Sequence, residues 1–409
     1  MTGTAWDLFA ARHWERTPVV VPAPGGPLTV DADRAYTTMV EAARPFRAGT
    51  RFQALPDVRF HVEDGRIRAP GDLLPGPGDT TAERYAERLD QRMAGGGRLL
   101  VVEQGLMLDP PLWAGVRSLV APLWERVGFP VLPVVAELLL GENIVESQGS
   151  PHSALVWVLR GSVTATPRDS GSALDAEAGD LLHWPADRPH TLSFGPRTMA
   201  LRLLVPRDPR LATAEVTGVV AGLVQARRGQ ERVPYLPYPP DGPTPPDVPE
   251  LAGTAELVRE VTATPRLGRL LSAVWARRVS AAGLEPAPDA RPPLRLSPDD
   301  RLRPASAVVR MPLDDGQAWL WAVDGHAFSL RGTLGERVLD RLRQGDTPTV
   351  RDLCAVAGPG HDEAVVALLE KLYTLRGVDV DVHKDVDTDV HKDVDTDVHT
   401  DVDGRESGA

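Results

Sequence analysis

A run of twelve residues near the middle of the chain has the composition of a ligand-bearing turn between two strands. Gly179 and Asp180 precede a β-prone segment that ends at Trp184, a turn with two prolines follows, and His190 opens the next β-prone segment. Such a turn can bring an imidazole to the mouth of a β-barrel, where side chains from other strands converge on a metal ion. His190 is therefore a candidate metal ligand. A histidine that only satisfies the turn by hydrogen bonding would fit the same pattern.

The same run resembles the second cupin motif, and more closely the pattern of JmjC-type cupins, in which such a histidine is the distal metal ligand. Phe9–Val21 (FAARHWERTPVVV) is similar to the helix-then-strand entry of that family, with an aromatic residue, a tryptophan, a basic residue and a proline before an apolar strand. The resemblance implies an oxygenase that uses Fe(II), O₂ and 2-oxoglutarate to hydroxylate side chains of a peptide or protein.

The resemblance also implies where the other metal ligands should lie. In JmjC-type hydroxylases a His-x-Asp pair lies thirteen and eleven residues before the glycine that closes the next strand. Here that glycine is Gly161, after the strand Leu155–Arg160, and the two positions hold Gln148 and Ser150. Neither is a usual iron ligand. The set of metal ligands predicted from the sequence is therefore incomplete.

Two nearby residues could substitute for the missing ligands. His152 lies two residues beyond Ser150, and a small slip of register would let it serve, with Ala154 in the place of the carboxylate; Glu146 is a further candidate. The predicted metal ligands are thus His190 and His152.

The position that holds the 2-oxoglutarate carboxylate in this family is also altered. The basic residue expected there corresponds to Val163. Arg202 and Arg197 are predicted to replace it, and Arg160 is an alternative if its side chain faces inward. These departures leave two main functions open: a 2-oxoglutarate-dependent peptide or protein hydroxylase with an incomplete metal triad, or a non-catalytic cupin that binds a peptide or protein. A cupin with another metal or another reaction is a third.

Short β-prone segments with glycine and proline punctuation from Val131 to about Pro206 favour a small barrel. The predicted fold is mainly β with α, a cupin/JmjC-like double-stranded β-helix barrel followed by a helical segment and a winged-helix-like module. The predicted domains are the barrel with N-terminal helices at 1–210, a helical dimerisation segment with a Pro-rich stretch at 211–297, the winged-helix-like module at 298–377 and a disordered acidic tail at 378–409. This order resembles the bacterial ribosomal-oxygenase branch of the family, in which helices dimerise the protein, and implies a homodimer.

Composition and charge exclude several other classes. The 409 residues are 42% hydrophobic and 25% charged, the range of globular chains of two or three domains. The one cysteine, Cys354, excludes a disulfide scaffold and multi-cysteine metal sites. The absence of a secretory signal and of a long apolar run predicts a cytoplasmic protein with no membrane partner.

The net charge of −12 is concentrated in the tail, where Val378–Gly404 contains ten aspartates and two lysines in repeats of DVHKDVDT. Alternating aspartates favour an extended, solvated chain. Between Arg301 and Gly377 ten basic residues balance ten acidic ones, so the surplus of positive charge that DNA binding requires is missing. No DNA partner is predicted.

Overall fold

The computed structural model describes residues 5–24, 31–50, 55–63, 65–93, 95–169, 171–228, 248–313 and 318–381. Most of the predicted Pro-rich stretch and the repeats beyond Asp381 lie outside the described residues. The described part is a mixed α/β structure with ten α-helices, dominated by one large antiparallel sheet.

The N-terminal third contributes four helices and four strands: α1 Ala5–Arg12, β1 Val19–Pro22, α2 Ala32–Arg47, β2 Asp57–Val62, β3 Gly65–Ile67, α3 Ala82–Arg92, β4 Arg98–Glu103 and α4 Pro110–Val127. Local sequence fixes the ends of α4. The Asp109 side chain accepts a hydrogen bond from Leu112 N at 3.0 Å, a proline occupies the first turn, and Gly128 ends the helix with φ of 95°. Helix α2 and strand β4 were not predicted from the sequence.

Six strands follow: β5 Val135–Ser147, β6 His152–Arg160, β7 Ser162–Pro167, β8 Leu174–Glu177, β9 Asp180–Trp184 and β10 His190–Pro206. They confirm the predicted strand-rich region from Val131 to Pro206. The sheet has the order β1-β9-β6-β10-β5-β4-β2-β3, and β7 pairs with both β10 and β8.

The long strands β5 and β10 run through both halves of the sheet. His190–Phe194 of β10 pairs with β7, whereas Met199–Pro206 pairs with β6, and the register shifts between Phe194 and Thr198. Side chains from both halves meet in one hydrophobic cluster that includes Leu192, Phe194, Val156, Leu182 and Ala200. The sheet therefore folds over itself around an apolar interior.

The opposite face of the larger half packs against the N-terminal helices. Leu155 and Trp157 alternate with the interior residues of β6 and join a second cluster with residues of α1, α2 and α4. Both faces of β6 are thus buried, which explains its nearly continuous apolar sequence.

The C-terminal half consists of α5 Pro209–Arg228, α6 Pro249–Thr262 and α7 Pro265–Ser280, then β11 Arg301–Pro304, β12 Val309–Leu313, β13 Ala318–Val323, β14 His326–Arg331, α8 Leu334–Leu342, α9 Val350–Ala357, α10 Asp362–Thr374 and β15 Val378–Asp381. The strands β12, β13 and β14 form an antiparallel sheet, and α8, α9 and α10 share a separate core. No described helix is long and apolar enough to cross a membrane.

Two expectations for this half are corrected. The helical segment predicted at 211–297 is interrupted between α6 and α7, because Pro265 begins α7 after a break at Ala263 and Thr264. Val378–Asp381, assigned by sequence to the disordered tail, pairs with β11. The alternation of valine and aspartate in this segment explains the strand pairing. Val378 is buried, whereas Asp379 Oδ1 lies 2.7 Å from Arg291 Nη2.

Candidate functional site

The turn before His190 and the start of β6 lie at the same end of the folded sheet, which we call the mouth. Asp187 N donates a hydrogen bond to Ser150 O at 2.8 Å, and Ala186 N donates to Ser153 Oγ at 3.1 Å. His190 is also the strand partner of Ser147, the last residue of β5. The start of β6, the end of β5 and the start of β10 therefore converge at the mouth.

His190 points into the interior, because it alternates with the core residues Leu192 and Phe194 on β10. It is 7% exposed, and its ring lies 4.5 Å from that of Trp184. Its Nδ1 bonds to Arg188 O at 2.9 Å, whereas Nε2 has no hydrogen-bond partner among the described residues. Burial lowers the pKa of His190, a shift that the bond to Arg188 O opposes and nearby Arg202 reinforces.

His152 is the first residue of β6 and alternates with the interior residues Ala154 and Val156. Its Nδ1 lies 3.1 Å from Ser150 Oγ, and its backbone N donates to the same hydroxyl at 3.3 Å. Burial lowers the pKa of His152 as well. The structure thus brings both predicted histidines to the mouth, while their role as metal ligands stays a prediction.

The two positions counted from Gly161 also lie at the mouth but supply no strong ligand. Gln148 is exposed just beyond β5, and Ser150 is engaged by His152. Glu146 is the strand partner of Thr191, one residue out of phase with His190, so it lies on the opposite face of the sheet. It is exposed and pairs with Arg168. This placement argues against Glu146 as a ligand beside His190.

Inside the mouth, a network of ion pairs joins β2, β4, β5 and β10. Glu137 is 3% exposed and accepts hydrogen bonds from Arg202 Nε at 2.6 Å and Arg59 Nη2 at 2.8 Å. Arg59 also bonds to Glu103 Oε2 at 2.5 Å and lies 3.5 Å from Asp57 Oδ2. Burial raises the pKa of Glu103, and Arg59 opposes that shift. The interior carboxylates of this network are therefore already held by guanidinium groups.

None of the arginines predicted to anchor the 2-oxoglutarate carboxylate is an unpaired, inward-facing cation at the mouth. Val163 is fully buried in the interior core. Arg202 faces inward but is bound to Glu137. Arg197 adopts a left-handed conformation in the irregular turn of β10 between Phe194 and Thr198, away from the mouth, and lies 3.5 Å from Asp90. Arg160, at the other end of β6 from His152, pairs with Asp33 and Glu83. These placements argue against Arg197 and Arg160 as anchors beside His190.

A cleft of about 760 Å³ adjoins the mouth where the C-terminal half meets the sheet. His152 lies in its wall, and the apolar lining includes Leu132, Pro133, Val135, Pro206, Leu211 and Pro286. Across the cleft Arg278 binds Glu215 at 2.6 Å and Glu285 at 2.9 Å, so its charge is neutralised. The volume and apolar lining are those of a site for a small molecule or a few residues of a peptide.

The residues at the mouth do not fit a three-ligand iron site. The described residues contain no group of three or more His, Cys, Asp or Glu side chains that could hold a metal ion. The chemistry of the donors explains this, because Glu137 is held by two arginines and Gln148 and Ser150 are weak ligands.

Apart from Arg202, the residues that pair at the mouth were not predicted from the sequence. Glu137 carried a signal, since it is the one charge in the apolar run from Val131 to Leu140, and such a charge on a buried strand requires a partner. Arg59 and Glu103 lie on strands whose interior face is not apparent from sequence. His61, also on β2, has a pKa lowered by burial and by Arg59.

Comparison with solved structures relates the fold to that of a ribosomal oxygenase. The structures are those of YcfD from Escherichia coli. One has a TM-score of 0.51 at 16% identity and covers 92% of this chain and 98% of that chain; another has a TM-score of 0.52 at 15% identity and covers 93% and 99%. YcfD in complex with cobalt and 2-oxoglutarate matches with a TM-score of 0.50 at 16% identity, covering 92% and 98%. At these identities the likeness shows the fold alone.

No protein-family model and no curated protein matches the sequence.

Proposed function

We propose that this chain is a non-catalytic, cupin-like binding module, whose barrel mouth and adjoining cleft hold a segment of a peptide or protein. One observation carries the proposal: among the described residues, the inward-facing carboxylate near His152 is Glu137, which two arginines neutralise. The fold that we propose is a double-stranded β-helix with JmjC-like strand order. It accounts for the two long strands, β5 and β10, which run through both halves of the sheet.

The proposal is tested by succinate formation from 2-oxoglutarate with added Fe(II), with and without candidate peptides. We expect no succinate above the level of the His190→Ala variant, because the described residues offer no third strong ligand at the mouth and the inward-facing Arg202 is bound to Glu137. Robust turnover that His190→Ala abolishes would overturn the proposal and establish an oxygenase.

A gain-of-ligand variant sharpens the same test. Gln148→His combined with Ser150→Asp restores the family's ligand types and should raise Fe(II) affinity at least tenfold. Gln148→His with Ser150→Asn is the matched control without the added charge. Equal affinity of the two variants would show that position 150 does not face the metal.

The second candidate is the Fe(II)- and 2-oxoglutarate-dependent hydroxylase. The fold likeness to YcfD, solved with cobalt and 2-oxoglutarate, favours it, as does the location of His190 and His152 at one mouth. When bound, iron would supply oxygen activation. This function needs a further ligand and an anchoring cation, so it requires Arg202 to leave Glu137 when the cofactor binds.

We further infer that α5, α6 and α7 form a homodimer interface. Val216, Leu251, Val258 and Leu270 expose between 36% and 69% of their surface on these helices. Light scattering of the wild-type chain should give the molar mass of a dimer. The double variant Leu251→Glu with Val258→Glu should have the mass of a monomer, whereas the control Val356→Glu on α9 should remain a dimer. A monomeric wild-type chain would contradict the interface.

We assign the C-terminal module, a three-stranded sheet with three helices, to a winged-helix-like docking unit in a cytoplasmic protein. Its balanced charge between Arg301 and Gly377 supports a protein-docking role. A gel-shift titration with duplex DNA should show no binding at physiological salt. Tight, salt-sensitive binding would contradict this assignment.

A further inference from the structure

We propose that the barrel mouth recognises a neutral amide of the bound segment, with His190 accepting a hydrogen bond from the amide N–H and His152 donating one to its carbonyl. The amide belongs either to the backbone or to an Asn or Gln side chain. This inference rests on the proposed binding function and specifies the ligand chemistry.

The hydrogen bonding of His190 fixes which of its ring nitrogens carries the proton. Its Nδ1 lies 2.9 Å from Arg188 O, and a carbonyl oxygen can only accept, so Nδ1 must donate. Trp184 Nε1 donates to the same oxygen at 3.1 Å and holds the turn in place. In the neutral ring the remaining nitrogen, Nε2, is then an acceptor. It lacks a partner among the described residues although the residue is only 7% exposed.

We infer the opposite assignment for His152. Ser150 Oγ accepts from His152 N at 3.3 Å, and its proton has no other acceptor among the described residues than His152 Nδ1 at 3.1 Å. If the hydroxyl donates to Nδ1, the ring proton resides on Nε2. His152 Nε2–H then has no acceptor among the described residues, and His152 lies in the wall of the cleft.

The backbone brings the two rings to the same end of the interior. Trp184, against which the His190 ring packs, is the strand partner of Ala154, and His152 is the next residue on that face of β6. The hydrogen bond from Asp187 N to Ser150 O ties the two segments a second time. One unpartnered acceptor and one unpartnered donor at a mouth form the complement of an amide, which carries one N–H and one C=O.

The surrounding charges argue against a charged ligand. The arginines Arg59 and Arg202 are paired with Glu137, and across the cleft Arg278 is paired with Glu215 and Glu285. A carboxylate or ammonium group entering the mouth would be desolvated beside charges that already neutralise one another, and the exposed Arg277 in the cleft wall is a solvated charge. The apolar wall of the cleft instead suits aliphatic side chains beside the amide.

The test uses the full chain and N-acetylated, C-amidated pentapeptides with Asn, Gln, Leu, Asp or Glu between leucines, measured by calorimetry in the presence of EDTA. We expect the Asn and Gln peptides to bind at least tenfold more tightly than the Asp and Glu peptides. If the Leu peptide binds as well as the Asn peptide and N-methylation of its central amide weakens binding, the backbone supplies the amide. Equal or tighter binding of the Asp or Glu peptides, or no binding of any peptide, would overturn the inference.

Single changes locate the contacts. His190→Ala and His152→Ala should each weaken the best peptide at least fivefold, whereas His361→Ala, an exposed histidine before α10, should leave binding unchanged. Nitrogen NMR of the free protein provides a readout without any peptide, and it should show His190 protonated at Nδ1 and His152 at Nε2. The opposite tautomer at either residue would contradict the assignment.

This inference and the proposed function fail in different ways. Succinate turnover, or peptide binding that EDTA abolishes, would overturn the metal-free function. Metal-independent binding with a preference for Asp or Glu would leave that function standing and overturn the amide specificity alone.

Discussion

The two sides of the mouth differ in how completely their polar groups are used. On the side of β2, β4 and β5, Glu137 binds two arginines, and Arg59 bridges it to Glu103. On the side of β6 and the start of β10, His190 and His152 each use Nδ1 and leave Nε2 without a partner among the described residues. The first side stabilises the fold, and the second has capacity for a ligand.

A third histidine shows that burial alone does not create this capacity. His183 on β9 is fully buried, its Nδ1 bonds to Ala154 O at 3.1 Å, and its Nε2 accepts from Glu15 N at 3.3 Å. Its ring stacks on that of Trp14 at 5.2 Å. Only six residues separate His183 from His190, yet both ring nitrogens of His183 are hydrogen-bonded, so this histidine is structural.

The largest effect is expected on the saturated side. Glu137→Ala leaves Arg59 and Arg202 without their shared carboxylate inside the mouth, so the free energy of unfolding should fall by about 3–5 kcal/mol. Urea denaturation of the variant and of the wild-type chain measures this free energy of unfolding. A change below about 1 kcal/mol would show that the network does not stabilise the fold.

The two buried histidines should differ in stability. His183→Ala removes two hydrogen bonds and a stacked ring from a packed site, and the free energy of unfolding should fall by about 3 kcal/mol. His190→Ala removes one hydrogen bond and should cost about 1 kcal/mol. Equal losses in thermal and urea denaturation would contradict the division between a structural and a ligand-facing histidine.

Stability should also fall in mildly acidic solution because of His183. Burial lowers its pKa from 6.5 to about 4, so the unfolded chain binds a proton that the folded chain does not. Its neutral form favours folding above pH 6.5, and this contribution is lost as the pH falls towards 4, by up to about 3 kcal/mol. The His183→Gln variant should show a shallower decline between pH 6.5 and 4. An unchanged pH profile would contradict the assignment.

The smallest effect is expected at Glu146. It is exposed, pairs with Arg168 and lies on the outer face of β5. Glu146→Ala should change the free energy of unfolding by less than about 0.5 kcal/mol and leave peptide binding unchanged. Loss of metal or peptide binding in this variant would place Glu146 in the site after all.

The sequence located His190 because a Gly-Asp entry, two prolines and a histidine are local features. It could not locate the Glu137–Arg202 pair, which depends on the register between β5 and β10. The position of Arg197 beside Asp90 could not be predicted for a related reason. The irregularity between Phe194 and Thr198 places Arg197 in a turn, and nothing in the local sequence fixes where a β-bulge falls.

The strand-rich region from Val131 to Pro206 was predicted because closely spaced apolar segments with glycine and proline between them are typical of antiparallel strands. Helix α2 was missed because its pattern is interrupted by Pro45 within the helix. The division between α6 and α7 was missed although Pro265 marks it, since the apolar periodicity continues across the break.

Equilibrium dialysis against Fe(II) under anaerobic conditions, with 2-oxoglutarate present, tests the central claim most directly. The chain is compared with a version ending at Asp381, which removes the His- and Asp-rich repeats but keeps β15, and with His190→Ala. We predict that the shortened chain binds far less than one equivalent of iron and that His190→Ala does not change this amount. One equivalent bound to the shortened chain and lost in His190→Ala would show that the mouth is a metal centre, and would contradict the account.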